Sequence, residues 1–520
     1  MRRPSRARHA SGADPMETPH YAELMVPVDP VLLVELDGRG SLQQQTYRAL
    51  RAAILGGRLR PGDRLASTRD LARELGVARN TVLQAYDRLI AEGYAATRPA
   101  SGTFVATTLP PPPRAAARRG RPAAIETAPR LSTFGQRTVE TIPARYATWS
   151  LRREAVSYDF RYGEPAYGDL PLATWARLLG RRARRLSVRR LAYQPPGGAP
   201  ELRAALAGYL ARARGVVCTP EQILIVRGSQ QAIDLTTRLL VDPGDPVVLE
   251  EPHYTGFSFC LRAAGADVAY VPVDEHGLRV EELDRVHAAR LAFVTPSHQY
   301  PAGGVLSLPR RLALLGWAHA RSAYVFEDDY DGEFRFEGHP LECLQALDRD
   351  GRVLYAGTAS KIFFPALRIG WLVAPPALLG AFQSAHALAD TGTPTLEQLA
   401  FADFIAGGHL ERHVRRIRVR HAARRRALLD AVADELGERA RVSGASAGLH
   451  VLLRLDGLSR RDVPRLRAAC RERGVGVYPA SPFYARPPAH AELLLGYGGL
   501  GERAIREGIR RLAQAIESLR

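Results

Sequence analysis

Residues 357–371 read Gly-Thr-Ala-Ser-Lys-Ile-Phe-Phe-Pro-Ala-Leu-Arg-Ile-Gly-Trp, and they contain the single lysine of a 520-residue chain that carries 71 arginines. A guanidinium pairs with anions at least as well as an ammonium does. It does not readily lose a proton and attack a carbonyl to form a Schiff base, which is lysine chemistry. An arginine-rich composition explains why lysine is rare. It does not explain why Lys361 survives here, three residues after Thr358 and seven before Arg368.

Around Lys361 the groups that pyridoxal 5'-phosphate requires occur in a workable order. The phosphate calls for backbone N–H groups at a helix N-terminus, for hydroxyls and for an arginine. Arg227-Gly228-Ser229-Gln230-Gln231 follows the apolar run Ile223–Val226 and opens a helical pattern. Ser229 and Gln230 therefore join Thr358 and Arg368 as phosphate candidates. The ring nitrogen must stay protonated if the ring is to act as an electron sink, so a carboxylate partner is needed. Asp328, in Glu327-Asp328-Asp329-Tyr330, ends a buried-looking strand and fills that place. Tyr330 is placed to donate to the phenolic oxygen, and Tyr254, after Glu251-Pro252-His253, to stack on the ring face. Singly each is ordinary: a Gly-Ser turn is usually just a turn, and an acidic strand end is usually solvated. With the single lysine they form a specific set.

Working outward, residues 156–520 alternate short apolar runs with helical patterns. The runs lie at 223–226, 247–249, 268–271, 291–294, 323–327 and 353–356. This alternation is the βαβ signature of a mostly parallel sheet. Towards the N-terminus the pattern changes. Residues 1–40 read as an irregular arm, and Leu109–Pro122, LPPPPRAAARRGRP, is too rich in proline and arginine to pack a core. We take 107–155 as a linker. Its Arg119-Gly120-Arg121-Pro122 resembles the core of an AT-hook, which lays arginines into a narrow minor groove, but four residues in such a segment favour the plain linker reading.

Between arm and linker, residues 41–106 form a small module. Leu42, Tyr47, Leu50, Ile54 and Leu55 recur at helical spacing, and Gly56-Gly57 and Pro61-Gly62 stop that helix. A second helix runs from Ser67, a good N-cap, through Leu71 and Leu75 to Gly76. A third covers 78–92, and Gly93-Tyr94 and Ser101–Val105 bracket a two-stranded wing. The spacing suits a helix-turn-helix whose later helix enters a major groove, opening with Arg79-Asn80-Thr81 where side chains reach bases or phosphates. The unliganded alternative is a small helical bundle.

Residues 60–105, RPGDRLASTRDLARELGVARNTVLQAYDRLIAEGYAATRPASGTFV, resemble a GntR-type winged helix nearly end to end, with Ala66 replacing the usual proline. That resemblance implies an α/β winged helix-turn-helix and makes Ser67, Arg69, Arg79, Asn80, Thr81 and Gly102 the DNA contacts. The segment from about 158 to 500 resembles the fold-type I aminotransferases, and more closely the MocR-like subfamily of GntR regulators. The carrying stretches are 193–216, YQPPGGAPELRAALAGYLARARGV, 296–318, PSHQYPAGGVLSLPRRLALLGWA, 327–336, EDDYDGEFRF, and 357–371. This implies a large, mostly parallel-sheet domain with a smaller C-terminal subdomain and pyridoxal phosphate as cofactor. By resemblance Lys361 forms the Schiff base, Asp328 pairs the pyridine nitrogen and Tyr330 bonds the phenolic oxygen. Arg368, Thr358, Ser229 and Gln230 hold the phosphate, and Tyr254 stacks. It also implies a head-to-tail homodimer on a two-part operator in double-stranded DNA, with pyridoxal phosphate or an amine or amino acid as effector. Two departures from working aminotransferases stand out. His298-Gln299-Tyr300-Pro301 replaces the common asparagine before P-T-G, and Leu493-Leu494-Leu495-Gly496-Tyr497 lacks an arginine for a substrate carboxylate. A regulator is therefore expected, with a working aminotransferase that carries a DNA-binding domain as the alternative.

Composition agrees. The net charge of +18 and pI near 10.2 suit a nucleic-acid partner. Residues 41–106 carry ten arginines against five acids. A second basic run, Arg412–Arg426, holds eight arginines in a helical pattern and reads as the solvated or interdomain face of a helix. The four cysteines are scattered without metal spacing, no apolar run is long enough to span a membrane, and no secretory signal follows the basic start. A reduced, cytoplasmic setting is expected.

Overall fold

The computed structural model describes residues 35–109, 130–142, 155–337 and 341–519. Most of the expected arm, the Arg119–Pro122 motif and most of the expected linker lie outside the described residues. The chain divides into two units, Met1–Ala128 and Pro129–Arg520.

In the first unit, α1 (Leu42–Leu55), α2 (Thr68–Leu75) and α3 (Arg79–Ala91) precede β1 (Ala95–Arg98) and β2 (Gly102–Val105). The Ser67 hydroxyl caps α2 by accepting the Asp70 N–H, and Gly76 ends that helix at φ 64°, a left-handed conformation that glycine adopts without strain. The apolar spacing read from the sequence becomes one core, in which Tyr47, Leu50, Leu71, Val82, Leu89 and Val105 are buried together. β1 and β2 pair antiparallel as the wing.

The second unit is built on an eight-stranded sheet. Its strands are β3 (Ile223–Val226), β4 (Pro246–Glu251), β5 (Asp267–Asp274), β6 (Gly277–Leu278), β7 (Leu291–Val294), β8 (Tyr324–Asp329), β9 (Val353–Thr358) and β10 (Gly370–Val373). Their order is β3-β10-β9-β8-β7-β4-β5-β6. The pairs β9/β8, β8/β7, β7/β4 and β4/β5 are parallel. β10 is antiparallel to both of its neighbours, and β6 to β5. β3, β7, β9 and β10 are buried at every residue, as strands covered on both faces must be. A second sheet, order β11-β12-β14-β13, consists of β11 (Ala440–Ser443), β12 (His450–Ser459), β13 (Tyr478–Pro479) and β14 (His490–Gly496). It is the smaller subdomain, with Leu428, Leu453, Leu493, Ile505 and Leu512 in its core.

Two elements differ from a plain reading of the sequence. Residues Thr133–Thr141, inside the stretch read as linker, form a helix, and the Arg137 guanidinium donates to the Ala264 carbonyl at 3.2 Å. The basic run 412–426 lies within the 28-residue helix His409–Leu436. Arg420 and Arg424 pair there with the buried Asp169, and Arg425 with Glu337, so part of the run is internal charge pairing.

Candidate functional site

Parallel strands direct their C-terminal ends to one edge, where loops and helix N-termini gather. Here that edge brings together Asp328 and Tyr330 at the end of β8, Thr358 and Lys361 at the end of β9, Arg368 before β10, and Ser229 and Gln230 at the helix after β3. With Tyr254, all eight expected residues line one cavity of about 600 Å³.

Three adjacent acids end β8, and their partners separate their roles. Glu327 accepts the Leu344 and Gln345 N–H groups at 2.7 and 2.9 Å, which fixes a backbone turn. Asp329 takes Arg214 Nε at 2.6 Å and Nη2 at 3.1 Å, with the Tyr355 hydroxyl at 2.7 Å. Asp328 alone faces the cavity. Ser229 donates to its carboxyl, while Oδ1 is buried with no hydrogen-bond partner among the described residues. Desolvation, reinforced by Asp329 and Asp331, pushes its pKa up to about 8. A buried carboxylate oxygen without a donor is costly. A protonated ring nitrogen would satisfy it, so the site fits the cofactor's pyridine.

Lys361 sits on the cavity wall in a single helical turn, Ala359–Ile362, which the Thr358 hydroxyl caps by accepting the Ser360 N–H. Its Nζ donates to the Gly163 carbonyl at 2.5 Å. Desolvation lowers its pKa against the opposing fields of Asp331, Asp328 and Glu164, favouring the neutral amine that attacks carbonyls. Gly357 just before is obligatory in size, since a Cβ there would lie 2.4 Å from Trp371 Nε1.

The phosphate candidates assemble around the N-terminus of the helix Ser229–Leu240. Arg368, held at φ 53°, donates to the Arg227 carbonyl, and its guanidinium lies against Gly228. Gln230 turns its amide towards Cys260 Sγ, 3.2 Å away, so its backbone N–H is the part left to the helix end. Thr358 is used as a cap and Ser229 bonds Asp328, so each hydroxyl already has a structural task.

Beside Tyr330 stands a group the sequence did not assign. Tyr330 Oη and Asp331 Oδ2 each lie 2.9 Å from His298 Nδ1, and Tyr330 also bonds Asp331. Gly448, at φ 82°, makes room for the ring: a Cβ there would lie 2.2 Å from His298 Cε1. His450 and Tyr300 pack next, with ring centres 5.3 Å and 5.2 Å from His298 and His450 respectively. Tyr254 stands edge-on to Tyr300 at 5.7 Å.

In the first unit Ser67, Arg69, Arg79, Asn80 and Gly102 are exposed and Thr81 is half-buried. Ser67 also donates to Asp70 at 2.6 Å, and Arg79 Nε reaches Thr68 Oγ1 at 3.3 Å, bracing α3 against the start of α2. Gly102, at φ 108°, lies against the Arg64 guanidinium.

Comparison with known proteins decides the family. The model of the bacterial regulatory proteins of the gntR family matches residues 42–105, and that of aminotransferase class I and II matches 159–494. The "Probable rhizopine catabolism regulatory protein MocR" of Rhizobium meliloti is 38% identical over 94% of this chain and 96% of its own length. The chain belongs to the MocR-type GntR regulators. The pyridoxine biosynthesis transcriptional regulator PdxR of Corynebacterium glutamicum is 30% identical over 92% of this MocR-type chain and 96% of its own. The α-aminoadipate aminotransferase LysN of Thermus thermophilus, solved with N-(5'-phosphopyridoxyl)-L-leucine, is 31% identical, with TM-score 0.67 over 74% of this chain and 97% of that one. This MocR-type chain therefore joins a DNA-binding winged helix to an aminotransferase-like domain of fold type I, whose cofactor is pyridoxal phosphate.

The residues that sequence reasoning missed are Gly163, His298, Asp331 and His450. Asp331 continues the acidic run at the end of β8, and His450 is a polar residue opening the apolar run Val451–Leu453. Those were the available signals. Gly163 offers none, because only its carbonyl is used.

Proposed function

We propose that this regulator reads pyridoxal phosphate, or an amine that reacts with it, and passes the result to its DNA-binding unit. The carrying observation is Asp328, a buried cavity-facing acid whose Oδ1 has no hydrogen-bond partner among the described residues, beside the chain's single lysine. Lys361 would hold the cofactor covalently, Asp328 would pair its ring nitrogen, and Tyr330 would meet its phenolic oxygen. Arg368 and the backbone N–H groups of Ser229 and Gln230, with the Thr358 and Ser229 hydroxyls, would take the phosphate, and Tyr254 would cover the ring. When bound, pyridoxal phosphate supplies an aldehyde that condenses reversibly with primary amines.

Lys361 then has two states, engaged or released. Its Nζ lies within hydrogen-bond distance of the Gly163 carbonyl, at 2.5 Å. That carbonyl lies in the segment leading to Asp169, which pairs with Arg420 and Arg424 on the long helix. Engagement withdraws the bond from Gly163, a local change that biases two arrangements of the domain. Ser67, Arg69, Arg79, Asn80, Thr81 and Gly102 form the proposed DNA surface. We further propose a head-to-tail homodimer that reads two half-sites in the cytoplasm. The alternative of a working aminotransferase draws on relatives such as LysN. Leu493, Leu494 and Leu495, fully buried in the stretch where such enzymes commonly carry an arginine for the substrate carboxylate, favour sensing.

The test compares purified protein with Lys361→Ala. The unmutated protein should show the visible absorbance of lysine-bound cofactor, and added amine should change both spectrum and operator affinity in stoichiometric fashion. Absence of the band from the unmutated protein refutes the cofactor reading, and sustained keto-acid production refutes sensing in favour of catalysis.

A further inference from the structure

The cavity around Lys361 extends past the cofactor residues to Tyr162, Tyr300 and His450. It adjoins a recess of about 270 Å³ that shares Tyr162, Tyr254 and Tyr300 and adds Tyr478 and Phe483. The rings of Tyr162, Tyr478, Tyr300 and Phe483 meet edge to face at 5.2–5.5 Å, a rigid aromatic wall. Leu494 closes the same cluster.

Charge and hydrogen bonding restrict what this space accepts. Among the described lining residues the arginines are Arg161 and Arg368. Arg368 lies along the Arg227–Gly228 backbone, and Arg161 is ion-paired with Glu164 at 3.1 Å. A carboxylate entering beyond the cofactor would have to share Arg161 with Glu164 or be desolvated without a counter-cation. Asp328, Asp331 and Glu164 all act on Lys361 with the field that favours a cation.

His450 supplies the recognition group. Its side chain is 2% exposed, and Nε2 is buried with no hydrogen-bond partner among the described residues. The ring hydrogen-bonds the Pro301 backbone, which has no N–H and can only accept. The nitrogen facing Pro301 therefore carries the proton, and Nε2 presents a bare lone pair. Desolvation keeps the ring neutral, lowering its pKa well below the ordinary histidine value. An unsatisfied buried acceptor on a residue that lines a ligand-sized cavity asks for a donor.

We propose that the effector is a primary amine without a carboxylate, whose second polar group, a hydroxyl or a second ammonium, donates to His450 Nε2. This rests on the reading of the cavity as an amine-responsive cofactor site.

The experiment uses the full-length protein loaded with pyridoxal phosphate and follows its visible spectrum against four amines of one chain length. These are 4-aminobutan-1-ol, 1,4-diaminobutane, n-butylamine and 4-aminobutanoate. The alcohol and the diamine should half-saturate at concentrations at least about tenfold lower than either of the others, as expected for one satisfied buried hydrogen bond. His450→Leu should raise their half-saturation about tenfold while leaving that of n-butylamine in place. The proposal is overturned if 4-aminobutanoate binds as tightly as the alcohol, or if n-butylamine does. A protein that shows no visible band, or no response to any amine, overturns the cofactor reading as well. A band with a preference for the amino acid overturns this proposal alone.

Discussion

Replacing Asp328 by asparagine should stabilise the cofactor-free protein, and increasingly so as pH rises. The folded carboxyl titrates near 8 rather than at 3.8, because burial beside Asp329 and Asp331 opposes its ionisation. In the unfolded chain it ionises from about pH 4 upwards. Between those values the folded state binds more protons than the unfolded one, so stability falls as pH rises through the window. Integrating the linkage relation, Asp328 costs the folded protein about 2 kcal/mol at pH 5 and about 5 kcal/mol at pH 8. Asparagine copies the shape of the neutral acid and does not titrate. The difference in unfolding free energy between Asp328→Asn and the parent should therefore grow by about 3–4 kcal/mol from pH 5 to pH 8. Any constant effect of the amide cancels in that change. Glu250, Glu327 and Glu333, each pushed up to about 7 by burial, titrate in both proteins and cancel too.

Urea unfolding followed by tryptophan fluorescence is the assay, since all four tryptophans follow residue 128 and report on the second unit alone. Adding pyridoxal phosphate should reverse the order at pH 8, because only the carboxylate can pair a protonated ring nitrogen. A stability difference that stays flat from pH 5 to pH 8 would refute the reasoning. So would an Asp328→Asn protein that keeps the parent's cofactor affinity.

Other substitutions probe the supports. Arg214→Met should lower the stability of the second unit by about 3–5 kcal/mol in urea unfolding, because it strands Asp329, 2% exposed, without its cation. Gly357→Ala drives a Cβ to 2.4 Å from the buried Trp371 indole nitrogen and should cost about 1–3 kcal/mol in the same assay, with a shifted Trp371 emission. Arg79→Ala should weaken operator and non-operator DNA alike and reduce the slope of log affinity against log salt by about one, measured by fluorescence anisotropy.

Much of this architecture was legible in composition and period. Six apolar runs became β3, β4, β5, β7, β8 and β9, and the helices of the first unit fall within a residue of their expected limits. β10 shows what periodicity cannot tell. Gly370–Val373 is apolar like its neighbours, and nothing in it encodes direction. Direction lies in the connection: residues 359–369 are too few for the crossover that a parallel return needs, so the strand runs back antiparallel to β9. The helix Thr133–Thr141 was hidden for another reason. It is short, is flanked by proline- and arginine-rich sequence, and depends on tertiary contacts such as that of Arg137 with Ala264.

The site divides in the same way. Lys361 was legible because its identity is chemically irreplaceable. Asp328 was singled out from Glu327-Asp328-Asp329 by its place at the end of a buried-looking strand and by the family resemblance, whereas the physical distinction between the three rests on residues far away in sequence. Arg214, 115 positions before Asp329, and the Leu344–Gln345 turn, 17 and 18 positions after Glu327, satisfy the two flanking carboxylates. The central one, bonded by Ser229, keeps Oδ1 without a partner among the described residues, at a cost that grows with pH. A sequence conserving only fold stability has no reason to retain an acid there, since asparagine or serine would fill the space without the penalty. An acid kept at the stability-costing position and absorbed at its neighbours is the mark of a charge awaiting a cation from outside the chain. His450, which lines the same cavity, repeats that logic, since its Nε2 has no hydrogen-bond partner among the described residues. Asp328 Oδ1 and His450 Nε2, on two residues that line one cavity, both lack a hydrogen-bond partner among the described residues; under the proposed function the first meets a cofactor and the second an amine.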